Sequence, residues 1–272
     1  MLMTALACVV VVWAHFYRDP FANLGAAPYT LVGISISIFM SFRNGACYER
    51  WWEGRKQWGH AIVEIRSFAR ESSAVIDAPS REALIHGLCG FAHALAARLR
   101  GEDEIEAARP WVSDPAALSD SPNVANAILA QVGLECSRLA HRGVISDWRY
   151  MLMEGRLVGL SGVQAACERI KTTPSPFAYS LLIHRTAYLF CGLLPFGFVQ
   201  QLGWMTPVLV TIISYTFFGL DALGNELEEP FARTENSLPL DAMVRTIERD
   251  ALAALGVQPL PEPLEPVDFL LL

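Results

Sequence analysis

Histidine and carboxylate side chains are the residues of this sequence whose spacing could support metal binding. His86 and His93 lie seven residues apart, which would place them on one face of a helix. No further ligand stands at a suitable spacing, so we expect ordinary surface histidines and no metal site. Acidic residues cluster near the end of the last apolar stretch. They could hold a cation, but we favour carboxylates solvated beside a membrane, at Asp221, Glu226, Glu228 and Glu229.

Motifs of enzyme active sites are absent from the sequence. It has no phosphate-binding glycine loop, no HExxH pair and no nucleophile elbow. The six cysteines show no CxxC spacing, so we expect reduced thiols. The formal net charge of −7 argues against a nucleic acid partner. We therefore expect neither catalysis nor a cofactor.

The distribution of apolar residues indicates an integral membrane protein. Residues 1–42 carry two formal charges and residues 186–220 carry none, whereas the stretch between them is rich in charge. The second of the apolar segments has 14 residues before Arg43, fewer than the about 17–25 that cross a bilayer. We expect this helix to be shielded from lipid by the neighbouring helices or to line a water-filled space. The four predicted membrane helices are Met1 to Tyr17, Tyr29 to Phe42, Thr186 to Leu202 and Met205 to Leu220.

Lysine and arginine residues predict the orientation of these helices. The loop between the first two has only Arg18, and the loop between the last two has no charge. Positive residues instead follow the second helix and precede the third. By the positive-inside rule, residues 43–185 and the C-terminal tail face the cytoplasm. We predict a multi-pass protein of the cell's inner membrane with both termini in the cytoplasm.

The charged middle of the chain predicts further helices. The apolar period of the second membrane helix continues past Phe42, so one helix is expected to leave the membrane and enter the cytoplasm. Helices are also predicted over Leu84–Leu99, Asn123–His141 and Asp147–Ile170, with a loop over 101–122. The predicted domains are two membrane helices at 1–62, a cytoplasmic helical domain at 63–178, two membrane helices at 179–224 and a cytoplasmic C-terminal segment at 225–272.

The second membrane helix has the pattern that bears most on function. Ile34, Ile38 and Phe42 recur every four residues and form one stripe. The stripe could be plain core packing, which spacing alone favours, or a hydrophobic constriction that closes to ions by dewetting. Small residues on the neighbouring faces would let helices approach closely, at Gly33, Ser35, Ser37 and Ser41.

Several motifs occur in order along nearly the whole chain. They are Phe42-Arg43-Asn44, the run from Tyr48 to Arg55, Trp58-Gly59, Thr173 to Tyr179, Tyr215 to Phe217, Glu226 to Phe231, Asn236 to Leu240, and Ile247 to Arg249. Together these motifs resemble the bestrophin family of ion channels, and especially its bacterial branch.

The resemblance implies an all-α membrane protein that assembles as a homopentamer around one axial pore. Each subunit would give four membrane helices and a helical cytoplasmic domain. The family's apolar pore neck falls on Ile34, Ile38 and Phe42, and its cytoplasmic aperture falls on Trp148. The implied partners are other copies of the chain, the lipid bilayer and permeating monovalent ions, which would flow passively.

Two departures from the family pattern stand out. Animal members carry an acidic calcium clasp after the Pro-Phe pair, whereas only Glu235 follows Pro230-Phe231 closely here, which argues against calcium gating. The family usually has a polar amphipathic segment before the first membrane helix. This chain begins in that helix, so we expect the natural start to lie upstream.

The sign of the permeating ion is open at this stage. Animal members resemble chloride channels, while bacterial relatives can prefer monovalent cations. The net charge of −7, repeated around a pentamer, gives a slight expectation of cation selectivity, with chloride as the alternative. The alternative from another class is a non-conducting, membrane-anchored binding or sensory protein.

Overall fold

The computed structural model describes residues 1–17, 27–75, 77–268 and 270–271 and places most of them in helices. No β-strand is present in this part of the chain, which confirms the all-α class. Arg18 lies outside the described residues. The nine α-helices described are α1 (Leu2–Phe16), α2 (Ala27–Glu71), α3 (Ala78–Arg100), α4 (Glu104–Ala108), α5 (Val124–His141), α6 (Asp147–Thr172), α7 (Phe177–Leu202), α8 (Thr206–Glu228) and α9 (Leu240–Leu255).

The chain divides into two compact units, each of which is built from two stretches of sequence. The first unit contains Met1–Arg50 and Pro174–Glu228, and the second contains Trp51–Thr173 and Glu229–Leu272. Helix α2 begins in the first unit and ends in the second. We expected domain boundaries after residues 62, 178 and 224. The two units instead meet after residues 50, 173 and 228.

The first unit packs α1, α7 and α8 against one another and against one side of α2. Ile36 of α2 is buried in a shared apolar cluster with Phe190 of α7. Glycines allow the aromatic rings to come close: a Cβ on Gly33 would lie 2.9 Å from the Phe190 ring, and one on Gly197 would lie 2.5 Å from the Tyr29 ring. The run Phe177–Glu228 is long and apolar enough to cross a membrane, and α1 is a shorter apolar helix.

The helices of this unit extend beyond the apolar segments that predicted them. Helix α7 begins at Phe177 rather than near Thr186, and α8 ends at Glu228 rather than near Leu220. The prediction stopped where charged residues begin, because hydropathy measures the cost of placing a side chain in lipid. Two of the polar side chains in these extensions, His184 of α7 and Asp221 of α8, pair with each other at 2.7 Å.

A buried cluster of charged residues ties α2, α7 and α8 together. The Arg43 side chain is 1% exposed, and its Nη1 donates to Asp221 Oδ1 at 2.9 Å. Its Nη2 donates to the Asn225 side-chain oxygen and lies 3.7 Å from a Glu228 carboxylate oxygen. The other Asp221 oxygen is 2.7 Å from His184 Nδ1 on α7. One carboxylate on α8 thus contacts both neighbouring helices.

This cluster corrects the expectation of a solvated acidic patch. The side chains of Asp221 and Glu228 are only 8% and 16% exposed, and both lie against Arg43. Solvation would leave a buried guanidinium without a counter-charge, and that arrangement is far more costly than a buried pair. Glu229 belongs to the second unit, where its carboxylate pairs with Lys171 at 3.0 Å.

The second unit is a helical domain with a large apolar core around Trp58, Phe68 and Phe91, all of which are fully buried. Its helices begin and end where the sequence places stop and start signals. The Asn123 side chain caps α5 and the Ser146 side chain caps α6, as the predicted helix starts require. Gly101 ends α3 with a positive φ of 72°, a conformation that glycine adopts without strain.

Two helices of the second unit were not predicted. The segment 101–122, expected to be a loop, contains α4, whose start is capped by the Asp103 side chain. Helix α9 was missed although its buried residues have helical spacing between Pro239 and Gly256, at Leu240, Met243, Val244, Ile247 and Ala251. The helical period is therefore present in the sequence of this segment.

All six cysteines are free, as expected. Cys8 is exposed, and the other five are buried. In the second unit, burial raises the pKa of both Cys136 and Cys167 to about 12. These thiols therefore stay protonated at neutral pH and are poor nucleophiles.

Loss of the Asp221 charge should destabilise the first unit. Asp221→Asn keeps the shape but leaves Arg43 with one carboxylate fewer in a buried site, which should cost about 3 kcal/mol. Thermal unfolding of the purified protein in detergent measures the loss. The control is Glu53→Gln, because Glu53 is partly exposed and pairs with the exposed Lys56, so its loss should matter by less than about 1 kcal/mol. Equal losses from both variants would contradict a buried cluster.

Alanine substitution should change stability differently at two glycines, Gly87 at the close crossing of α3 and α5 and Gly155 on the open face of α6. A Cβ on Gly87 would lie 2.6 Å from Val132 Cγ2, so Gly87→Ala should destabilise the protein by about 1–3 kcal/mol. A Cβ on Gly155 of α6 meets nothing within 4 Å, so Gly155→Ala should be neutral or stabilising by about 0.5–1 kcal/mol. Thermal melts compare the two, and a tolerated Gly87→Ala would show that the helices are not in contact there.

Candidate ion pathway

The predicted neck residues form an exposed stripe on α2. Ile34, Ile38 and Phe42 are 53%, 50% and 67% exposed in the single chain. At 3.6 residues per turn, the three side chains spread over about 80° of the helix surface. Large apolar side chains at this exposure are not core residues of the single chain, so packing within the chain does not account for the stripe.

The opposite face of α2 holds the helix against its own bundle. Between Ala27 and Arg50, the buried residues of α2 are Ile36, Met40, Arg43 and Cys47. Their helical positions centre about 170° away from the stripe of Ile34, Ile38 and Phe42. The predicted neck face therefore points away from α1, α7 and α8.

The first four turns of α2, which include the predicted neck, carry no charge. No charged residue lies among residues 27–42, all of which are described. Two serine hydroxyls on this stretch bond to the helix backbone: Ser35 Oγ donates to the Leu31 carbonyl at 3.0 Å and Ser37 Oγ to the Gly33 carbonyl at 2.8 Å. These serines can therefore face lipid or another helix without an unpaired hydroxyl.

A groove of about 330 Å³ lies beside the neck face, between α2 and α7. Its walls are mostly apolar, with Phe39 on α2 and Tyr179 and Leu182 on α7 among the lining residues. The Tyr179 hydroxyl donates to the Phe39 carbonyl at 3.2 Å, which fixes the two helices at this point. The flank of α2 is thus shaped as a shallow apolar cleft.

Sequence reasoning missed the cluster that orients α2. Arg43 is one of the positive residues that predict the cytoplasmic side, and its burial was not predicted. The signal was its spacing: Ile36, Met40, Arg43 and Cys47 follow one another at intervals of four and three, which is the spacing of a buried helix face. An arginine on such a face needs a carboxylate partner from another helix.

The predicted aperture residue Trp148 lies in the second unit. It occupies the first turn of α6, after the Ser146 cap, and is 75% exposed. Because an indole rarely stays this exposed without reason, the position is suited to contact with a partner or a passing solute. The described residues give no partner for the ring within the unit.

The histidines considered for metal binding have other surroundings. His86 and His93 both contact the ring of Trp111, and His93 Nε2 lies 2.6 Å from a Glu248 carboxylate oxygen. Burial opposes ionisation of Glu248, but His93 and Arg245 hold its pKa below the ordinary value. Among the described residues, no group of three His, Cys, Asp or Glu side chains is placed to hold a metal ion.

Comparison with known proteins places these features in a family. The family model described as "Bacterial/Fungal Bestrophin protein" matches residues 1–253. The voltage-dependent anion channel-forming protein mll4386 of Mesorhizobium japonicum is 39% identical over 255 residues, covering 93% of this chain and 82% of that protein. The voltage-dependent anion channel-forming protein YneE of Escherichia coli is 41% identical over 229 residues, covering 83% of this chain and 75% of that protein.

A solved structure is similar over almost the whole chain. The crystal structure of a bacterial bestrophin homolog from Klebsiella pneumoniae matches with a TM-score of 0.91 and 37% sequence identity. The match covers 95% of this chain and 97% of that one. The chain therefore belongs to the bacterial and fungal bestrophin family, and it is a membrane protein of an ion channel family rather than an enzyme.

Proposed function

We propose that the chain forms a homopentameric channel through which small monovalent ions flow passively along an axial pore. The observation that carries the proposal is the exposed apolar stripe of Ile34, Ile38 and Phe42, which faces away from its own bundle. Five such stripes around one axis make a narrow apolar neck. Water and ions leave a narrow apolar tube unless it widens, so this neck controls conduction.

The free surface of α2 supports assembly from several copies. A helix that buries only a narrow stripe in its own subunit has two flanks and one face to cover. Ring assembly covers both flanks with neighbouring copies and leaves the remaining face to the pore. The flanks suit this contact because they carry small and apolar side chains, and the hydroxyls of Ser35 and Ser37 are already bonded to the helix backbone.

Trp148 is the proposed lining of a second constriction, the cytoplasmic aperture. Its support is the family resemblance together with its exposure at the start of α6. A ring of indoles would be narrower than a ring of small aliphatic side chains. We place the channel in the inner membrane with both termini in the cytoplasm, on the strength of the positive residues that follow Phe42 and precede Thr186.

Two candidates remain for the sign of the ion. Anions are the first, because the similar bacterial proteins are named as anion channel-forming proteins. Monovalent cations are the second, because the chain carries a net charge of −7 that a pentamer would repeat. The apolar neck has no charge and does not select between them.

Truncation of one neck residue should raise the conductance. Ile38→Ala removes apolar volume from the narrowest proposed part of the pore and should increase single-channel conductance in planar bilayers roughly twofold or more. The matched control is Val32→Ala on the same helix, because Val32 is also exposed but lies about 120° around the helix from Ile38. Unchanged currents for Ile38→Ala, or equal effects of both variants, would contradict the neck.

The reversal potential under a KCl gradient should decide between the two ion classes. Purified protein in a planar bilayer should give currents that reverse near the chloride equilibrium potential for an anion channel and near the potassium potential for a cation channel. The same protein in liposomes should release trapped ions. Absence of any flux would contradict the channel and favour a membrane-anchored binding protein.

A further inference from the structure

Within the first unit, the positive and negative residues of α2 lie on different faces of the helix. Between Ala27 and Arg50 the helix carries three formal charges, on Arg43, Glu49 and Arg50. All three lie at or beyond the C-terminal end of the proposed neck. Which of them an ion meets depends on how each side chain is turned relative to Ile34, Ile38 and Phe42.

The two arginines are turned toward the bundle. Arg43 is buried and paired with Asp221 on α8 at 2.9 Å. Arg50 is partly buried, and its Nε and Nη2 donate to the Glu228 carbonyl at 3.4 and 3.3 Å. On the helix, both arginines lie more than about 100° from the centre of the neck stripe. Their positive charges are therefore held away from the neck face and are partly cancelled by α8.

Glu49 lies on the neck face itself. It follows Phe42 by seven residues, which places it within about 20° of Phe42 and about 10 Å further along the helix. The residue is exposed and makes no hydrogen bond or ion pair with any described residue. Only Gly45, which has no side chain, stands on this face between Phe42 and Glu49.

We propose that Glu49 is a specificity-determining residue: repeated around the pore, its carboxylates form an acidic ring at the C-terminal mouth of the apolar neck and bias permeation toward cations. The inference rests on the proposed function, because one chain supplies only one carboxylate. It holds whichever ion the whole channel prefers, since the ring adds its bias to every other charge along the pathway.

The physical basis is the asymmetry between the two faces of α2. An apolar neck is neutral, so the nearest uncompensated charge at its mouth sets the local concentration of each ion. Rings of acidic side chains select cations in this way in other channels. The ring of carboxylates attracts a cation and repels an anion by similar energies, so removing it changes the ratio of the two permeabilities by the product of both effects. We expect about a fivefold change, after screening by salt.

The test is the reversal potential of Glu49→Gln in a planar bilayer under a KCl gradient. Compared with the wild type, it should shift toward the chloride equilibrium potential, with a potassium-to-chloride permeability ratio lowered about fivefold. Glu49→Asp keeps the charge and should shift little. The matched control is Glu82→Gln on α3, which removes one exposed carboxylate of the second unit and should leave the reversal potential unchanged.

A chemical version of the test changes the charge after the protein has folded and assembled. Misfolding of the Glu49→Gln variant therefore cannot explain its result. Glu49→Cys is combined with Cys8→Ser, because Cys8 is the one exposed native cysteine. After assembly, a methanethiosulfonate reagent attaches either a sulfonate or a trimethylammonium group through a disulfide bond, with sulfinate leaving. The sulfonate should move the reversal potential toward potassium and the trimethylammonium toward chloride. Cys8→Ser alone should respond to neither reagent.

The outcomes separate the inference from the proposed function. The role of Glu49 is overturned if Glu49→Gln leaves the reversal potential unchanged, or if both reagents shift it in the same direction. Either result leaves the channel itself intact. Absence of current from the wild type overturns the channel itself. Opposite shifts with the two reagents support both.

Discussion

A charged guanidinium inside a helical membrane bundle restricts how its helix can be turned, and the first unit is arranged around that restriction. Arg43 cannot face lipid without a large desolvation cost, and it cannot face its own bundle without a counter-charge. Asp221 supplies the charge at 2.9 Å, and Asn225 and Glu228 supply further contacts. Since Arg43 directly follows Phe42, holding the arginine inward holds the stripe of Ile34, Ile38 and Phe42 outward.

The same cluster sets the relation between α7 and α8. Asp221 uses one oxygen for Arg43 and the other for His184, so its carboxylate is filled by partners on two helices. Gly224 lies one turn further on α8, where a Cβ would come within 2.4 Å of Asn44 Oδ1. Small residues on α8 thus let the polar part of α2 approach its backbone. Close approach and charge pairing therefore occur together, and each makes the other less costly.

The sequence was sufficient for the helical class, because helices follow from periods of hydrophobicity, whereas the role of Ile34, Ile38 and Phe42 as a pore neck stays a prediction. It was insufficient where a contact joins residues far apart in the chain. Asp221 lies 178 residues after Arg43, and nothing in the local pattern shows that the two meet. The acidic group near the end of α8 was therefore interpreted as solvated. Helix α9 differs, because the spacing of its buried apolar residues already indicates a helix in the sequence.

In the proposed pathway, the neutral part limits the rate of ion flow and the charged part selects the sign of the ion. The two parts lie on separate stretches of α2. An apolar constriction limits flow by its width and by its wetting, and it is indifferent to the sign of the ion. Selectivity for the sign of the ion must come from charged side chains near the mouths of the pore. There, the position of each charge matters more than the net charge of the whole chain. The net charge of −7 is therefore a weak guide, since Asp221 and Glu228 contribute to it but lie against Arg43 in the bundle. What an ion meets is decided by which charged groups the bundle retains and which it leaves on the neck face of α2.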